Sequence, residues 1–286
     1  MAITSIKAVA FIVIAMLAGY VSGFRLSTTK FSSWFRKSLD FQPKMFASKV
    51  DDILKSESIS DSIKDEYRSA IELYNAFKLC NDTIIGEDLQ TSLSVIADSL
   101  RLYGPNNLYS SFNGGKDAVV VMHLFRAAMA KYSQEHGQIF KPQFIYFPIE
   151  NDFPQVLQFI ATTQSQYHLD IAVYDGGIGK GLSTHLERRN SSVPMAFMLG
   201  TRRGDPNCGN QQTFSPSSPW MPSFMRVNPI LTWDYGQVWH FLRSFNLSYC
   251  ELYDQGYTSL GKMTETAPNP ALLLSSSSSS SSRERE

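Results

Sequence analysis

The residue types best suited to chemistry lie in one short stretch, residues 111–117, which reads Ser-Phe-Asn-Gly-Gly-Lys-Asp. A short β-like run precedes it and an apolar helical run follows it. The adjacent glycines Gly114 and Gly115 let the backbone turn sharply, and the start of the helix adds a partial positive charge. Lys116 supplies a full charge, and Asp117 can cap the helix or help hold a metal ion. The stretch therefore predicts a nucleotide phosphate site.

The same stretch has a plainer interpretation. A strand followed by Gly-Gly and a helix is a common junction in α/β proteins. The spacing of a Walker A loop and the G-x-G-x-x-G fingerprint of dinucleotide-binding proteins are both absent from this stretch. From the glycine pair alone, a phosphate loop and a structural turn both stay open.

A pair of arginines forms the second candidate group. Arg202 and Arg203 come two residues after an apolar run at residues 195–199, which predicts a buried strand. A guanidinium binds phosphate oxygens bidentately, so the pair suits a polyphosphate or an FMN-like phosphate. The alternative is a solvated loop with one ion pair to Asp205.

The apolar periodicity predicts the scaffold that positions these loops. Residues 47–103 predict an N-terminal helical segment, because apolar residues recur at three- and four-residue steps. Further on, strands alternate with helices, and the predicted strands cover residues 107–110, 144–149, 170–174 and 195–199. Such repeats predict an α/β fold with a mainly parallel, doubly wound sheet, whose ligands gather at the carboxyl ends of the strands. Both candidate loops lie at such ends.

Three other segments carry weaker signals. The glycine cluster at residues 176–181 predicts a flexible turn before a helix at 182–189, although phosphate contact stays open. Residues 214–222 predict a rigid proline-rich loop whose aromatic residues, including Trp220, either wall a flat ligand or cover a core edge. Residues 224–231 predict an extended segment carrying one arginine, Arg226.

Composition limits the classes of function. The chain has 286 residues, enough for one sizeable α/β domain with appendages. Its formal net charge of zero and its 18% of charged residues argue against nucleic-acid binding, which favours a basic excess. The three cysteines, Cys80, Cys208 and Cys250, form no C-x-x-C pair, so a zinc site and a disulfide framework are not expected.

Both ends of the chain differ from the middle. Residues 1–46 predict a targeting presequence, with a signal-peptide core up to about residue 23 and then a basic, Ser-rich stretch typical of transit peptides. This order resembles the bipartite presequences of algae with complex plastids; a membrane anchor and a mitochondrial presequence are the alternatives. The apolar run is short for a membrane span, so we expect none in the mature protein. Residues 47–272 predict the catalytic domain, and the serine-rich residues 273–286 predict a low-complexity, disordered tail.

Several blocks together resemble one family, the eukaryotic FAD synthases (FMN adenylyltransferases). They are SFNGGKD at 111–117, GTRRGDP at 200–206, FMRVNPIL at 224–231, LYDQGYTSLG at 252–261 and PNPAL at 268–272. The first is similar to the phosphate loop of the adenine-nucleotide α-hydrolase group, which cleaves ATP between its α and β phosphates. The resemblance implies a sheet like that of phosphoadenylyl-sulfate reductases, ATP and FMN as substrates, Mg²⁺ as cofactor, and FAD and pyrophosphate as products.

The resemblance also implies roles for individual residues. The implied catalytic residues are Asn113, Lys116, Asp117 and Arg202. The implied ATP-binding residues are Ser111, Phe112, Gly114, Gly115, Ile149 and Gly200. The implied FMN-binding residues are Arg203, Asp205, Trp220 and Arg226. The sequence indicates no metal ligands and no oligomeric state.

The chain departs from the family pattern at three places. Gly204 stands where the family usually has Thr, and Ser217 and Ser218 replace a Thr and an Asp that faces the flavin. The third departure is the C-terminus, where serines stand in place of a segment that ends with arginines near the phosphates. A degenerate nucleotide- or flavin-binding protein is therefore one alternative function. The other is a phosphoadenylyl-sulfate or adenylyl-sulfate reductase, although the E-C-G-x-H cysteine motif of such enzymes is absent.

Overall fold

The computed structural model describes residues 54–55, 59–189, 193–206 and 208–272. The predicted presequence, residues 1–46, and the predicted tail, residues 273–286, lie outside the described residues and stay predictions. Within the described part of the chain, no helix combines the length and the apolar character needed to cross a membrane.

The described chain alternates strands with helices, as the sequence pattern predicts. The α-helices are α1 (Asp61–Leu79), α2 (Gly86–Tyr103), α3 (Lys116–His136), α4 (Pro154–Gln166), α5 (Gly177–Arg189) and α6 (Tyr235–Ser244). The strands are β1 (Leu108–Ser111), β2 (Gln143–Tyr146), β3 (Asp170–Val173), β4 (Ala196–Met198), β5 (Phe214–Pro216) and β6 (Met225–Val227). Two 3₁₀ turns, Glu251–Tyr253 and Pro270–Leu272, follow α6.

The strands form one six-stranded sheet in the order β3-β2-β1-β4-β6-β5. All neighbouring pairs are parallel except β5 and β6. The chain fills the sheet outward from β1 on one side and from β4 on the other, so the crevice between their carboxyl ends is the topological switch point. The predicted mainly parallel α/β sheet is confirmed, and both candidate loops follow the two strands at this point.

The N-terminal helical segment packs its apolar stripe into the core. Leu89, Leu93, Ile96 and Leu100 of α2 are all buried, as their spacing predicts. Helix α3 runs between α1, α2 and the sheet and is buried on nearly every side. A helix enclosed in this way begins at a fixed position, and α3 begins inside the predicted phosphate loop.

The glycine cluster was wrongly predicted to be a turn preceding a helix at residue 182. Helix α5 already begins at Gly177 and includes most of the cluster. A Cβ at Gly181 would lie 2.5 Å from ring atoms of Phe147, so this turn of the helix packs against the aromatic ring only without a side chain. Glycine disfavours a helix by about 1 kcal/mol, a cost that tertiary packing offsets here.

Two further boundaries differ from the prediction. The second strand ends at Tyr146 rather than continuing to residue 149, and Ile149 is 41% exposed. The proline-rich segment begins as strand β5, which pairs antiparallel with β6 at the edge of the sheet. Pro216 is tolerated there because an edge strand has one side that needs no backbone donor.

Candidate active site

The loop after β1 places one amide side chain across its own backbone. The N–H of Gly115 donates to Oδ1 of Asn113 over 3.1 Å, and Gly114 has a φ of +75°, which favours glycine. Because a backbone N–H can only donate, the acceptor is the side-chain oxygen, and the Asn113 Nδ2 group keeps its hydrogens for a ligand. Ser111 ends the strand, and Phe112 is fully buried against Phe144. Phe112 can therefore serve a nucleotide only through its backbone.

A tyrosine from the end of the domain holds the first residue of α3. The N–H of Lys116 donates to the hydroxyl of Tyr253 over 2.9 Å, a contact between residues 137 positions apart. Tyr253 is 8% exposed, and its ring packs edge-on against Trp239. Burial raises the pKa of the Tyr253 hydroxyl, so this group stays protonated at neutral pH. The sequence motif LYDQGYTSLG contains Tyr253, but a tyrosine at this position does not by itself predict a contact with the phosphate loop.

The two candidate loops are joined by a chain of ion pairs. Lys116 Nζ lies 3.0 Å from Asp117 Oδ2, and Asp117 Oδ1 lies 2.9 Å from Arg202 Nε. Arg202 in turn holds Asp205, whose Oδ1 is 2.9 Å from the guanidinium and whose Oδ2 accepts the Arg202 N–H over 2.7 Å. The Asp117–Arg202 contact is an ion pair without hydrogen-bond alignment, because neither atom has a hydrogen-bond partner among the described residues. Two positive and two negative groups therefore offset each other across the switch point.

A glycine allows the two loops to come this close. A Cβ at Gly200 would lie 2.9 Å from the backbone carbonyl carbon of Asp117 and 3.1 Å from its oxygen. Backbone atoms cannot turn away as a flexible side chain can. Gly200 therefore lies where the two loops meet, and its predicted contact with ATP stays a prediction.

Lys116 and Arg203, one basic residue from each loop, differ in accessibility. Lys116 is 3% exposed, and its ammonium group lies 5.2 Å from the ring centre of Tyr235 and 5.7 Å from that of Tyr253. Arg203 is exposed; its backbone N–H donates to the Leu231 carbonyl over 2.7 Å, and its guanidinium forms no hydrogen bond, ion pair or ring contact with another described residue. Arg203 is thus the guanidinium of this loop that is exposed to solvent.

Three predicted ligand contacts lie away from this ion-pair chain. Ile149 follows the end of β2, and its N–H donates to Asp152 over 3.2 Å. Trp220 is 73% exposed on the loop after β5. Arg226 lies within β6, where it donates to the Pro216 carbonyl over 3.1 Å and to the Ser218 hydroxyl over 2.9 Å. Arg226 therefore anchors the loop that carries Trp220.

The carboxylates of the site do not form a metal-binding cluster. Among the described residues, no group of three or more His, Cys, Asp or Glu side chains converges as a metal site requires. Asp117 and Asp205, the carboxylates of the two loops, both contact Arg202. The geometry therefore does not fit a metal held by protein ligands alone.

A mainly parallel sheet with a glycine-rich loop and an arginine loop at its switch point is the arrangement typical of nucleotide-binding α/β domains. The family model for the phosphoadenosine phosphosulfate reductase domain matches residues 107–193 and 184–268. A probable FAD synthase of Caenorhabditis elegans is 36% identical over 192 residues, which cover 66% of this chain and 36% of the relative. A probable FAD synthase of Schizosaccharomyces pombe is 34% identical over 186 residues, which cover 64% of this chain and 69% of the relative.

A solved structure is similar to this chain as well. The structure of Candida glabrata FMN adenylyltransferase in complex with FMN and the ATP analogue AMPCPP has 25% sequence identity and a TM-score of 0.68. The match covers 76% of this chain and 77% of that one. The chain belongs to the FAD synthase family, within the phosphoadenosine phosphosulfate reductase domain family. It spans about a third of the length of the nematode relative.

Proposed function

We propose that this chain transfers the adenylyl group of ATP to FMN, giving FAD and pyrophosphate. The observation that carries the proposal is the ion-pair chain from Lys116 through Asp117 and Arg202 to Asp205, which joins the two loops at the switch point. Family membership supports it, as do the substrates named for the Candida glabrata enzyme, FMN and an ATP analogue.

The reaction needs no general base. A phosphate monoester such as FMN has a second pKa of about 6, so it is largely a dianion at neutral pH. One of its oxygens attacks the α-phosphorus of ATP, a new P–O bond forms, and the bond to pyrophosphate breaks. Catalysis then depends on alignment and on stabilising charge at the transferring group and at the leaving group.

The residues of the two loops divide this work. The Asn113 amide, whose oxygen is engaged by Gly115, donates its N–H to the transferring phosphate. The start of α3 faces the triphosphate with its partial positive charge. Arg203 binds phosphate oxygens from the opposite loop, which Arg202 and Asp205 hold in shape. Lys116 and Asp117 act through their ion pair, which fixes the loop rather than the nucleotide.

We propose that magnesium enters this site as the counter-ion of ATP. Mg²⁺ in nucleotide sites keeps several waters and binds substrate phosphates with only one or two carboxylates. The carboxylates of this site are engaged by Arg202, which supports a metal that arrives with the nucleotide. The proposed reaction therefore does not depend on a metal held by protein ligands alone.

Adenylyl-sulfate reduction is the rival function, and the burial of Cys250 opposes it. Such a reaction requires an accessible thiolate. Cys250, the cysteine nearest the end of the chain, is fully buried, and burial raises the pKa of its thiol. A degenerate binding protein remains as an outcome of the experiment.

Product formation and binding, measured on the same purified chain, distinguish the three functions. The purified full-length chain is incubated with FMN, ATP and Mg²⁺, and FAD and pyrophosphate are quantified together. We expect both products in equal amounts. Binding of ATP and FMN without either product would identify a degenerate protein. In a second incubation, with an adenylyl-sulfate substrate and a dithiol that supplies the two electrons, sulfite release would identify a reductase.

For the cellular location, we propose import into a plastid. The support is the order of the sequence in residues 1–46, an apolar signal-peptide core followed by a basic stretch that has no acidic residue before Asp40. Fusion of these residues to a fluorescent protein tests the proposal in an alga with complex plastids. Plastid fluorescence is expected, and a cytosolic or mitochondrial signal would overturn it.

A further inference from the structure

Tyr253 contacts the phosphate loop from a distant part of the chain. Its hydroxyl oxygen lies 2.9 Å from the backbone nitrogen of Lys116, at the position where α3 begins. The same oxygen lies 3.8 Å from the point that a Cβ at Gly115 would occupy. The hydroxyl is therefore at the surface of the glycine turn itself.

The hydrogen of this hydroxyl has no acceptor within the described protein. The oxygen accepts the Lys116 N–H, so the hydroxyl must direct its own hydrogen elsewhere. No carbonyl or side chain of the described residues accepts it. A buried hydroxyl hydrogen is costly to leave unpaired, and where the protein offers no acceptor a ligand or an ordered water supplies it.

We propose that Tyr253 is a phosphate-binding residue of this site, which accepts the Lys116 N–H and donates its own O–H to an oxygen of the ATP triphosphate. The inference deepens the proposed adenylyl transfer and rests on it for the identity of the ligand. The Lys116 N–H orients the hydroxyl, and the helix start lends its partial charge through that hydrogen bond. The raised pKa of Tyr253 keeps the group a donor at neutral pH.

The aromatic packing holds the hydroxyl in place before the nucleotide arrives. The ring of Tyr253 packs at right angles to Trp239, with ring centres 5.2 Å apart, and beside Tyr249. A group fixed in this way loses little entropy when it binds. We therefore expect the Tyr253 hydroxyl to bind the nucleotide equally in the ground state and in the transition state. Loss of such an interaction raises KM and leaves kcat unchanged.

The chain offers a matched control for the experiment. Tyr249 belongs to the same aromatic group, which consists of Trp239, Tyr249 and Tyr253. Its ring centre lies 4.9 Å from that of Trp239, and its hydroxyl donates to Asp254 over 3.1 Å. Tyr249→Phe and Tyr253→Phe each remove one hydroxyl from this group and keep the ring. Only the second removes a group that touches the phosphate loop.

The test measures ATP affinity by equilibrium dialysis and steady-state kinetics on the full-length chain. For Tyr253→Phe we expect the Kd and the KM for ATP to rise about tenfold or more, as loss of a hydrogen bond to a charged group implies. We expect kcat and the KM for FMN to stay at wild-type values, and Tyr249→Phe to match wild type throughout.

The outcomes distinguish this inference from the proposed function. Unchanged ATP affinity in Tyr253→Phe, with normal FAD formation by wild type, would overturn the inference alone. Weakened ATP binding in Tyr253→Phe, with no FAD formed by wild type, would support the inference and overturn the proposed function. Equal losses in both phenylalanine variants, or loss of kcat with unchanged ATP affinity, would show a structural role in the aromatic group.

Discussion

A single added carbon atom, in Gly200→Ala, tests the contact between the arginine loop and the phosphate loop. Gly200→Ala adds one Cβ that would lie 2.9 Å from the Asp117 carbonyl carbon, 3.0 Å from the Asp117 Cβ and 3.1 Å from the Asp117 oxygen. All three neighbours are backbone or near-backbone atoms at the start of the buried helix α3. The arginine loop must therefore move away from the phosphate loop, and the Arg202–Asp117 pair at 2.9 Å must lengthen.

The size of the effect follows from packing. Forcing a methyl group into a packed site costs about 1–3 kcal/mol of stability. Each kcal/mol lowers the Tm by roughly 2–4 °C for a domain of roughly 150–250 residues. A displacement of about 1 Å between groups that bind the reacting phosphates lowers the rate by about 100-fold. We expect kcat/KM for FAD formation to fall by that factor while the protein stays folded.

A second glycine in the same loop is the control. A Cβ at Gly204 would meet no atom within 4 Å, and its backbone needs no left-handed φ. Gly204→Ala should therefore keep the wild-type Tm and kcat/KM, as measured by calorimetry and by FAD formation. A wild-type kcat/KM in Gly200→Ala would refute the reasoning, and equal losses in both variants would assign the effect to loop flexibility.

Other predictions address single side chains. Asn113→Ala should keep the fold and lower kcat by about 100- to 1000-fold, as loss of an oxyanion donor does, and a near-normal kcat would refute the role. Arg203→Ala should raise the KM for ATP or FMN about tenfold without lowering the Tm, because its guanidinium forms no hydrogen bond or ion pair with another described residue; a lower Tm with unchanged KM would contradict this. Burial and the nearby Arg189 lower the pKa of His185 to about 4 from 6.5 in the unfolded chain. The folded state therefore loses stability as the pH falls from 6.5 towards 4, and His185→Gln should remove about 1–2 kcal/mol of the difference between urea unfolding at neutral and at acidic pH. An unchanged difference would show that His185 does not titrate on unfolding.

Local chemistry explains which parts of the fold were predictable. The α2 stripe from Leu89 to Leu100 and the alternation of strands and helices depend on periodicity, which a sequence records directly. The placement of Gly114 at a turn and of Arg202 after a strand follows from the same local signals. These elements were predicted correctly because neighbouring residues along the chain determine them.

The errors have a common physical origin in tertiary contacts. Helix α5 includes glycines that disfavour a helix, because Gly181 packs against Phe147 from another segment. Strand β5 forms within a proline-rich segment because β6 offers a free edge. Tyr253 was missed because its partner, Lys116, is 137 residues away and no local pattern joins them.

The ion-pair chain has a consequence for how the site attracts nucleotide. Lys116 and Arg202 are matched by Asp117 and Asp205, so these four groups have no formal net charge. Desolvated ion pairs of this kind fix geometry more than they supply affinity. If the proposed function and the inferred role of Tyr253 hold, the attraction for a polyphosphate comes from the helix start, the Asn113 amide, the Tyr253 hydroxyl and the exposed Arg203. Because only the last of these carries a full charge, salt should weaken ATP binding less in Arg203→Ala than in wild type. Equal salt dependence in the two proteins, measured by equilibrium dialysis, would show that the buried charges also act on the nucleotide.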